Sequence, residues 1–385
     1  MSVAPVLELS FIASIREVEA ADWDALAGSD YPFLRHSFLQ ALEDSGAACA
    51  ESGWQPQHLL LYEAGQLCGL MPLYIKSHSY GEYVFDWSWA NAYERYGHDY
   101  YPKLLTAIPF TPATGPRLVL RDDLDRDKVM PAVVSQMQAR AQQLNASSLH
   151  ILFPDLDETS AWQQAGLMRR SGPQYHWFNR DYQCFEDFLA DFSSRKRKNL
   201  RKERRVVAEQ GLRLERLRGD AVSEAQWRFF FHCYQLTYAK RSGHGGYLSE
   251  AFFQAIAHAM PEQLLLVLAY HEDKPVAAAL NFEGRDTLYG RYWGCVREYD
   301  FLHFEACYYQ GIEHCIAQGL SRFDPGAQGE HKIQRGFTPI RTYSNHWLAD
   351  PAFADAVQRF LVEEDAHIDA YLQEAAELLP FKQND

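Results

Sequence analysis

The sequence carries one structural plan twice. QHLLLYE (57–63), a turn at Ala64-Gly65-Gln66, LCGLMPLYIKSH (67–78) and YGEYVFDW (80–87) make the first copy. LLLVLAY (264–270), a turn at His271-Glu272-Asp273-Lys274, PVAAALNFEG (275–284) and DTLYGRYWG (286–294) make the second. Each reads as an apolar strand, a short polar turn, a strand rich in small residues and an aromatic third strand, which is an antiparallel meander. The identities are weak and the plan carries the signal. A repeat at half the chain length predicts two similar domains, with a border near 180: residues 1–180 and 181–385. The predicted fold class is α/β (α+β), mixed and mostly antiparallel sheets flanked by helices. Helices are predicted over 25–45, 124–144, 185–210 (as two helices), 222–241, 250–260 and 304–318, the last stopped by Gly319, and a strand over 148–153. A final helix over 350–379 opens on Asp350-Pro351, an N-cap followed by Pro at the first helical position.

Composition narrows the class. Of 385 residues, 47% are hydrophobic and 23% charged, the balance of a globular chain and not of a disordered one. No apolar run approaches the roughly 18–20 residues of a membrane span. The first residues lack the basic stretch of a secretory signal. Seven cysteines, with no CxxC pair, read as reduced thiols of a cytoplasmic protein.

The net charge is −14, yet SRKRKNLRKERR (194–205) has eight bases and one acid. In a helix over 193–210, at about 100° per residue, Arg195, Arg197, Lys198, Arg201, Lys202, Arg204 and Arg205 share one half of the wheel, with Leu200 and Val207 opposite. Such a face is either solvated, its repulsion relieved by salt, or it grips an anion. Clustered arginines suit phosphate: tRNA, a nucleotide-linked lipid or sugar, or the pyrophosphate of coenzyme A.

Three further segments mix polar side chains with aromatics or glycines. YGRYWGC (289–295) and FLHFEACYYQGIEHC (301–315) bring Tyr289, Arg291, His303, Glu305 and Tyr309 to the second meander. There Glu305 is either a helix-capping acid or, with His303, a proton acceptor for an amine. DPGAQGEHKIQRGF (324–337) sets Gln328, Glu330, Lys332 and Arg335 between glycines, the composition of a loop whose backbone approaches a ligand. The stretch 74–97 places Lys76 and Glu82 among aromatics, either as a cleft lining or as paired charges in an aromatic core. There is no GxGxxG, no GxxxxGK[ST], no GxSxG and no metal-ligand spacing, so no metal is expected.

With PFLRHSFLQALEDSG, GWQPQHL, PLYIKSHSYGEYVFDW, YYPKL, PFTPATGPR, SSRKRKNLRKER, LYGRYWGC, HFEACYYQ and GAQGEHKIQRGF in view, the chain resembles the Fem-type (FemABX-like) N-acyltransferases, within the branch of predicted bacterial N-acyltransferases annotated for peptidoglycan biosynthesis. The resemblance implies a tandem of GNAT-like folds and transfer of an aminoacyl group from tRNA to an amine. Fem-type enzymes carry a Phe-Lys-x-Gly-Phe-like motif whose lysine helps catalysis. Here the stretch is Ile333-Gln334-Arg335-Gly336-Phe337; the lysine position falls on Gln334, with Lys332 and Arg335 the nearest cations. That departure weighs against a wall-precursor acceptor. A coenzyme-A enzyme would show [QR]-x-x-G-x-[GA] at a strand-to-helix turn; the stretch 291–296 fails at its last position, which disfavours acetyl-CoA.

The expected reaction is acyl or aminoacyl transfer to a small-molecule or peptide amine. Arg195, Lys198, Arg201 and Lys202 would hold the donor's phosphate. Arg291, His303, Glu305 and Lys332 form the catalytic set, Arg291 stabilising the oxyanion and Glu305 or His303 taking the amine proton. Lys76, Glu82, Tyr289, Tyr309, Gln328, Glu330 and Arg335 would bind the acceptor. No tightly bound cofactor is expected; the donor co-substrate is aminoacyl-tRNA or, alternatively, acyl-CoA or acyl carrier protein. A non-catalytic RNA or anion binder is the reading from another class.

Overall fold

Both hairpins of the repeated plan form with one geometry in the computed structural model, which describes residues 7–327 and 329–382. β3 (His58–Glu63) and β4 (Gln66–Met71) join through Ala64 and Gly65; β11 (Leu264–His271) and β12 (Lys274–Glu283) join through Glu272 and Asp273. All four turn residues have positive φ, 49°, 79°, 50° and 59°. This two-residue turn has the twist that matches paired strands. Each hairpin then slips register, between Leu61 and Tyr62 and between Ala269 and Tyr270. Tyr62 and Tyr270 stand at the same distance from their turns, so the duplication extends to the bulge.

By contacts the chain separates into Met1–Pro173 with Arg341–Ala370, and Gln174–Ile340 with Tyr371–Asp385. Residues 341–370, expected with the second half, belong to the first unit for two reasons. Ser344–Leu348 pair with Ser148–Leu152, and Val357 and Leu361 of the C-terminal helix (Pro351–Glu377) bury against Trp89, Tyr93 and Tyr100. Asp350 Oδ1 accepts from the Ala352 amide at 2.8 Å, the expected cap.

The first unit holds two sheets. One runs β1 (Leu7–Ile12), β3, β4, β7 (Val119–Leu120), all antiparallel. The other runs β15 (Thr338–Leu348), β8 (Ser148–Leu152), β6 (Lys103–Thr106), β5 (Tyr74–Lys76), β2 (Trp54–Pro56), with only β6 and β8 parallel. The third strand expected over 80–87 does not form. Pro72 lacks the N–H that would extend β4, β5 joins the other sheet, and Gly81 (φ 82°) and Tyr83 (φ 63°) break extended backbone before a helix at Trp87–Arg95. The helix expected over 25–45 is two, Ala20–Ala27 and His36–Asp44, parted at Gly28 and Pro32. Val129, Met130, Val133 and Met137 of the helix Arg126–Gln143 recur at three- and four-residue spacing. They pack on Leu104, Leu149 and Ile151.

The second unit has one sheet: β10 (Leu212–Arg218), β11, β12, β13 (Thr287–Cys295), β14 (Arg322–Asp324) and residues 174–178 of β9 (Met168–Phe178). Only β13 and β14 are parallel, linked through the helix Gln310–Gln318, which Gly319 closes at φ 69°. The helix Glu224–Ser242 lies so close to β13 that a Cβ on Gly294 would stand 1.9 Å from the Cys233 carbonyl oxygen. Where β13 pairs with β12 the register skips Arg291, which becomes an extra, bulged residue with a re-aimed side chain. The class is the expected one, mixed α/β with mostly antiparallel sheets flanked by helices. Among the described residues no helix is long and apolar enough to cross a membrane.

Candidate active site

The site is built in the second unit from three segments. The basic helix spans Ser194–Glu209. A π-helical turn, Glu305–Tyr309, interrupts the helical segment after β13; such turns recur at functional sites. A short 3-10 turn, Glu330–Arg335, sits inside the glycine-punctuated loop.

The basic helix meets the other two segments with the face that carries Leu200. Lys196 donates to Gln334 Oε1. Glu203 binds Arg335 through Nη2 at 2.8 Å and Nε at 3.2 Å, and accepts from the Tyr309 hydroxyl. Arg204, counted above among the outward cations, turns inward. It lies about 40° from Leu200 on the wheel and clamps Glu305 with Nη2 at 2.9 Å and Nε at 3.0 Å, while Nη1 reaches Glu313 at 2.6 Å. Gln310 adds a third donor to Glu305, at 2.8 Å. Glu305 is therefore a buried anchor of the π turn, with little capacity left to take a proton from a substrate.

Arg195, Lys198, Arg201 and Lys202 occupy the opposite, exposed face. Among them Arg201 pairs at the surface with Glu186.

Lys332 is the buried cation of that loop, 2% exposed, and its Nζ donates to the Gly326 carbonyl at 2.6 Å. Burial drives its pKa down to about 8, against the pull of Asp324. Asp324 is committed to Arg291, whose Nη2 lies at 2.8 Å, and to the Gly326 amide at 2.9 Å. Burial opposes its charge, but Arg291 and His176 hold its carboxyl well below the usual range. Arg291, expected as an oxyanion donor, is thus bound to β14 and lies 5.3 Å from the Tyr289 ring. Tyr289 and Tyr309 are buried. The guanidinium of Arg335 sits 3.3 Å from the Phe304 ring. His303 is enclosed by Trp293, Phe304, Tyr308 and His331, and burial pushes its pKa down to about 3. It is neutral at physiological pH, and weak as a base. The Tyr308 hydroxyl meets His331 Nε2 at 2.8 Å. Glu330 is exposed and accepts from Tyr371 at 2.8 Å. Gln328 lies outside the described residues.

A model of proteins of peptidoglycan biosynthesis/recognition, the FemAB-like family, matches residues 14–383. The chain belongs to the FemAB-like family. With membership comes the class of activity, acyl or aminoacyl transfer to an amine. Among solved structures this FemAB-like protein is similar to the C-terminal domain of a putative lysylphosphatidylglycerol synthetase from Agrobacterium fabrum, at 11% identity over 91% of this chain and 98% of that one, with a TM-score of 0.57. It is similar to FemX at 12% identity, over 89% and 98%, with a TM-score of 0.54. A tandem GNAT protein from the clavulanic acid biosynthesis pathway also matches, at 11% identity over 90% and 99%, with a TM-score of 0.49. The first two likenesses are of fold. No curated protein matches the sequence.

Two expected acceptor residues of the FemAB-like chain, Lys76 and Glu82, lie in the first unit. There they form a buried ionic cluster with Lys103 and Asp86. Lys103 Nζ donates to Ser79 Oγ and Glu82 Oε2, both at 2.8 Å, and to Asp86. Asp86 accepts from Tyr100 at 2.6 Å; Tyr100 reaches His150 Nε2 at 3.2 Å, and His150 meets His346 at 2.7 Å. Sequence reasoning missed Lys103, Tyr100, His150, Glu203, Asp324 and His176 as members of these clusters. One signal was available: Glu203, the lone acid of the stretch 194–205, falls on the side of Leu200.

Proposed function

We propose that this chain transfers an aminoacyl group from tRNA to an amine, with the bond exchange at Lys332. The observation that carries this reading is a buried lysine, depressed to about 8, in the glycine-punctuated loop beside a π-helical turn. Strongly perturbed lysines in such settings mark functional sites. Lys332 stands two residues before Gln334, the position of the catalytic lysine in Fem-type enzymes, and takes over its role. The amine nitrogen bonds to the ester carbonyl carbon, and the developing oxyanion receives the Lys332 hydrogen bond now given to Gly326. The carbon–oxygen bond to the carrier breaks, and the carrier's alcohol leaves with the amine's proton. Glu330 and His331, exposed beside Lys332, are the acceptor contacts. Glu305 and Arg291 shape the site through Arg204 and Asp324.

The cations Arg195, Lys198, Arg201 and Lys202 favour a large donor. A coenzyme-A pyrophosphate would need cations lining the reacting pocket, whereas these stand on an outer surface. A tRNA backbone can engage cations on an outer surface, and so can an acidic carrier protein, which is the alternative donor. The test is to incubate the protein with charged tRNA, acyl-CoA and acyl carrier protein, each with a panel of amines, and read product masses. A product formed from acyl-CoA alone overturns the choice of donor; no product from any donor overturns the transferase assignment to this site.

A further inference from the structure

Lys76 and Lys103 stand directly opposite each other on β5 and β6. Both are fully buried. Like charges in a direct cross-strand pair repel, and two buried ammonium groups need partners. Their partners come from one short segment, residues 77–86, which leaves β5 and returns as the helix Trp87–Arg95. It lays Glu82 and Asp86 over the lysines and Ser79 against Lys103. Burial pushes Lys76 down to about 7 and Glu82 up to about 7. Burial opposes the charge of Asp86, but Lys103, His150 and Ser79 together hold it at about 2. Tyr100 and Tyr101 flank the cluster, His150 lies behind Asp86, and His78 is on the segment itself.

The fit is incomplete: Asp86 Oδ1, like Glu82 Oε1, is buried and accepts no hydrogen bond among the described residues. Glu82 Oε1, in a residue 3% exposed, accepts no hydrogen bond among the described residues and lies 3.9 Å from Lys76 Nζ. Among the described residues Lys76 has one weak acceptor, the Tyr80 carbonyl at 3.3 Å, and it rests 3.8 Å from the Trp54 ring centre. A buried pair arranged for stability alone saturates both partners. The outer surface of the segment shows Tyr80, Phe85 and Trp87 to solvent at 57%, 56% and 37% exposure. That is more aromatic surface than a static cover requires.

We propose that Lys76 and Lys103 form an anion site for a phosphate or diphosphate group, and that residues 77–86 are a strap whose Glu82 and Asp86 occupy it until such a ligand displaces them. Two lysines at adjacent register positions present the paired cations a diphosphate takes, and the strap carboxylates mimic its charge. The inference is independent of Lys332 and of the donor.

The probe is inorganic pyrophosphate, titrated against the full chain while amide hydrogen exchange is followed. Pyrophosphate is expected to bind and to speed exchange within 77–86 as the strap lifts. Lys103→Met is expected to abolish binding. Glu82→Gln, which removes the competing charge, is expected to tighten it about tenfold. Unchanged exchange of 77–86 in the wild-type protein at saturating pyrophosphate overturns the proposal, whether or not the variants fold. So does a Glu82→Gln protein that folds and binds no more tightly.

Discussion

Glu203 and Arg335 face each other at 2.8 Å between the basic helix and the glycine-punctuated loop. The helix that reads as a cationic ridge is thus held in part by the one acid within its basic stretch 194–205. Both side chains are largely buried, at 15% and 9% exposure. Removing one partner of such a pair costs about 3–5 kcal/mol, because the other is left charged and unpaired. Glu203→Gln is expected to destabilise the protein by roughly that amount in urea unfolding. Glu203→Gln with Arg335→Met is expected to recover part of the loss, as a double-mutant cycle would show.

Lys332 sets a pH dependence whose sign follows from its role. The charged form stabilises the oxyanion and is lost as pH rises through about 8. Turnover should therefore fall above that pH, and Lys332→Met should lower it by about 10²–10³ at neutral pH. Folded Lys332 binds its proton less tightly than the unfolded chain does, whose ordinary value is 10.5. Its contribution to stability accordingly rises with pH between about 8 and 10.5. A turnover profile with no descending limb there would remove the oxyanion role.

The exposed cations should act on the donor and not on the fold. Alanine at Arg195, Lys198 or Lys202 is expected to shift stability by less than about 0.5 kcal/mol. With a tRNA donor each variant should weaken binding and flatten its dependence on salt, by about one unit of slope per lost phosphate contact. Affinities measured from low to high salt check this.

Gly294→Ala probes the packing under β13. The added Cβ would meet the backbone carbonyl oxygen of Cys233 at 1.9 Å. Neither segment yields readily, so a loss of about 1–3 kcal/mol or more is expected, read as a lower melting temperature.

What was legible in the chain was local. The two hairpins, their turns, the cap at Asp350, the stop at Gly319 and the basic helix with its Leu200–Val207 stripe depend on residues a few positions apart, where periodicity and turn chemistry act. The third strand of the first meander was misread for a local reason as well, since Pro72 and the positive φ of Gly81 and Tyr83 outweigh aromatic content.

The partners of the charged groups were beyond reach. A helical wheel puts Lys196, Glu203 and Arg204 on or beside the buried face, yet Gln334, Arg335 and Glu305 reach that face only when the β13–β14 crossover closes. Lys103 becomes Lys76's neighbour through the register of β5 and β6, and Arg291 turns to Asp324 because one residue of β13 is bulged. Sequence by itself determined the repeated plan, the class of elements and where charge concentrates, because those are properties of short stretches. Tertiary structure alone decided which cations stay exposed and which are consumed in ion pairs. A charge's worth depends on how much water it keeps and on the sign of what stands within a few ångströms, and long-range packing sets both.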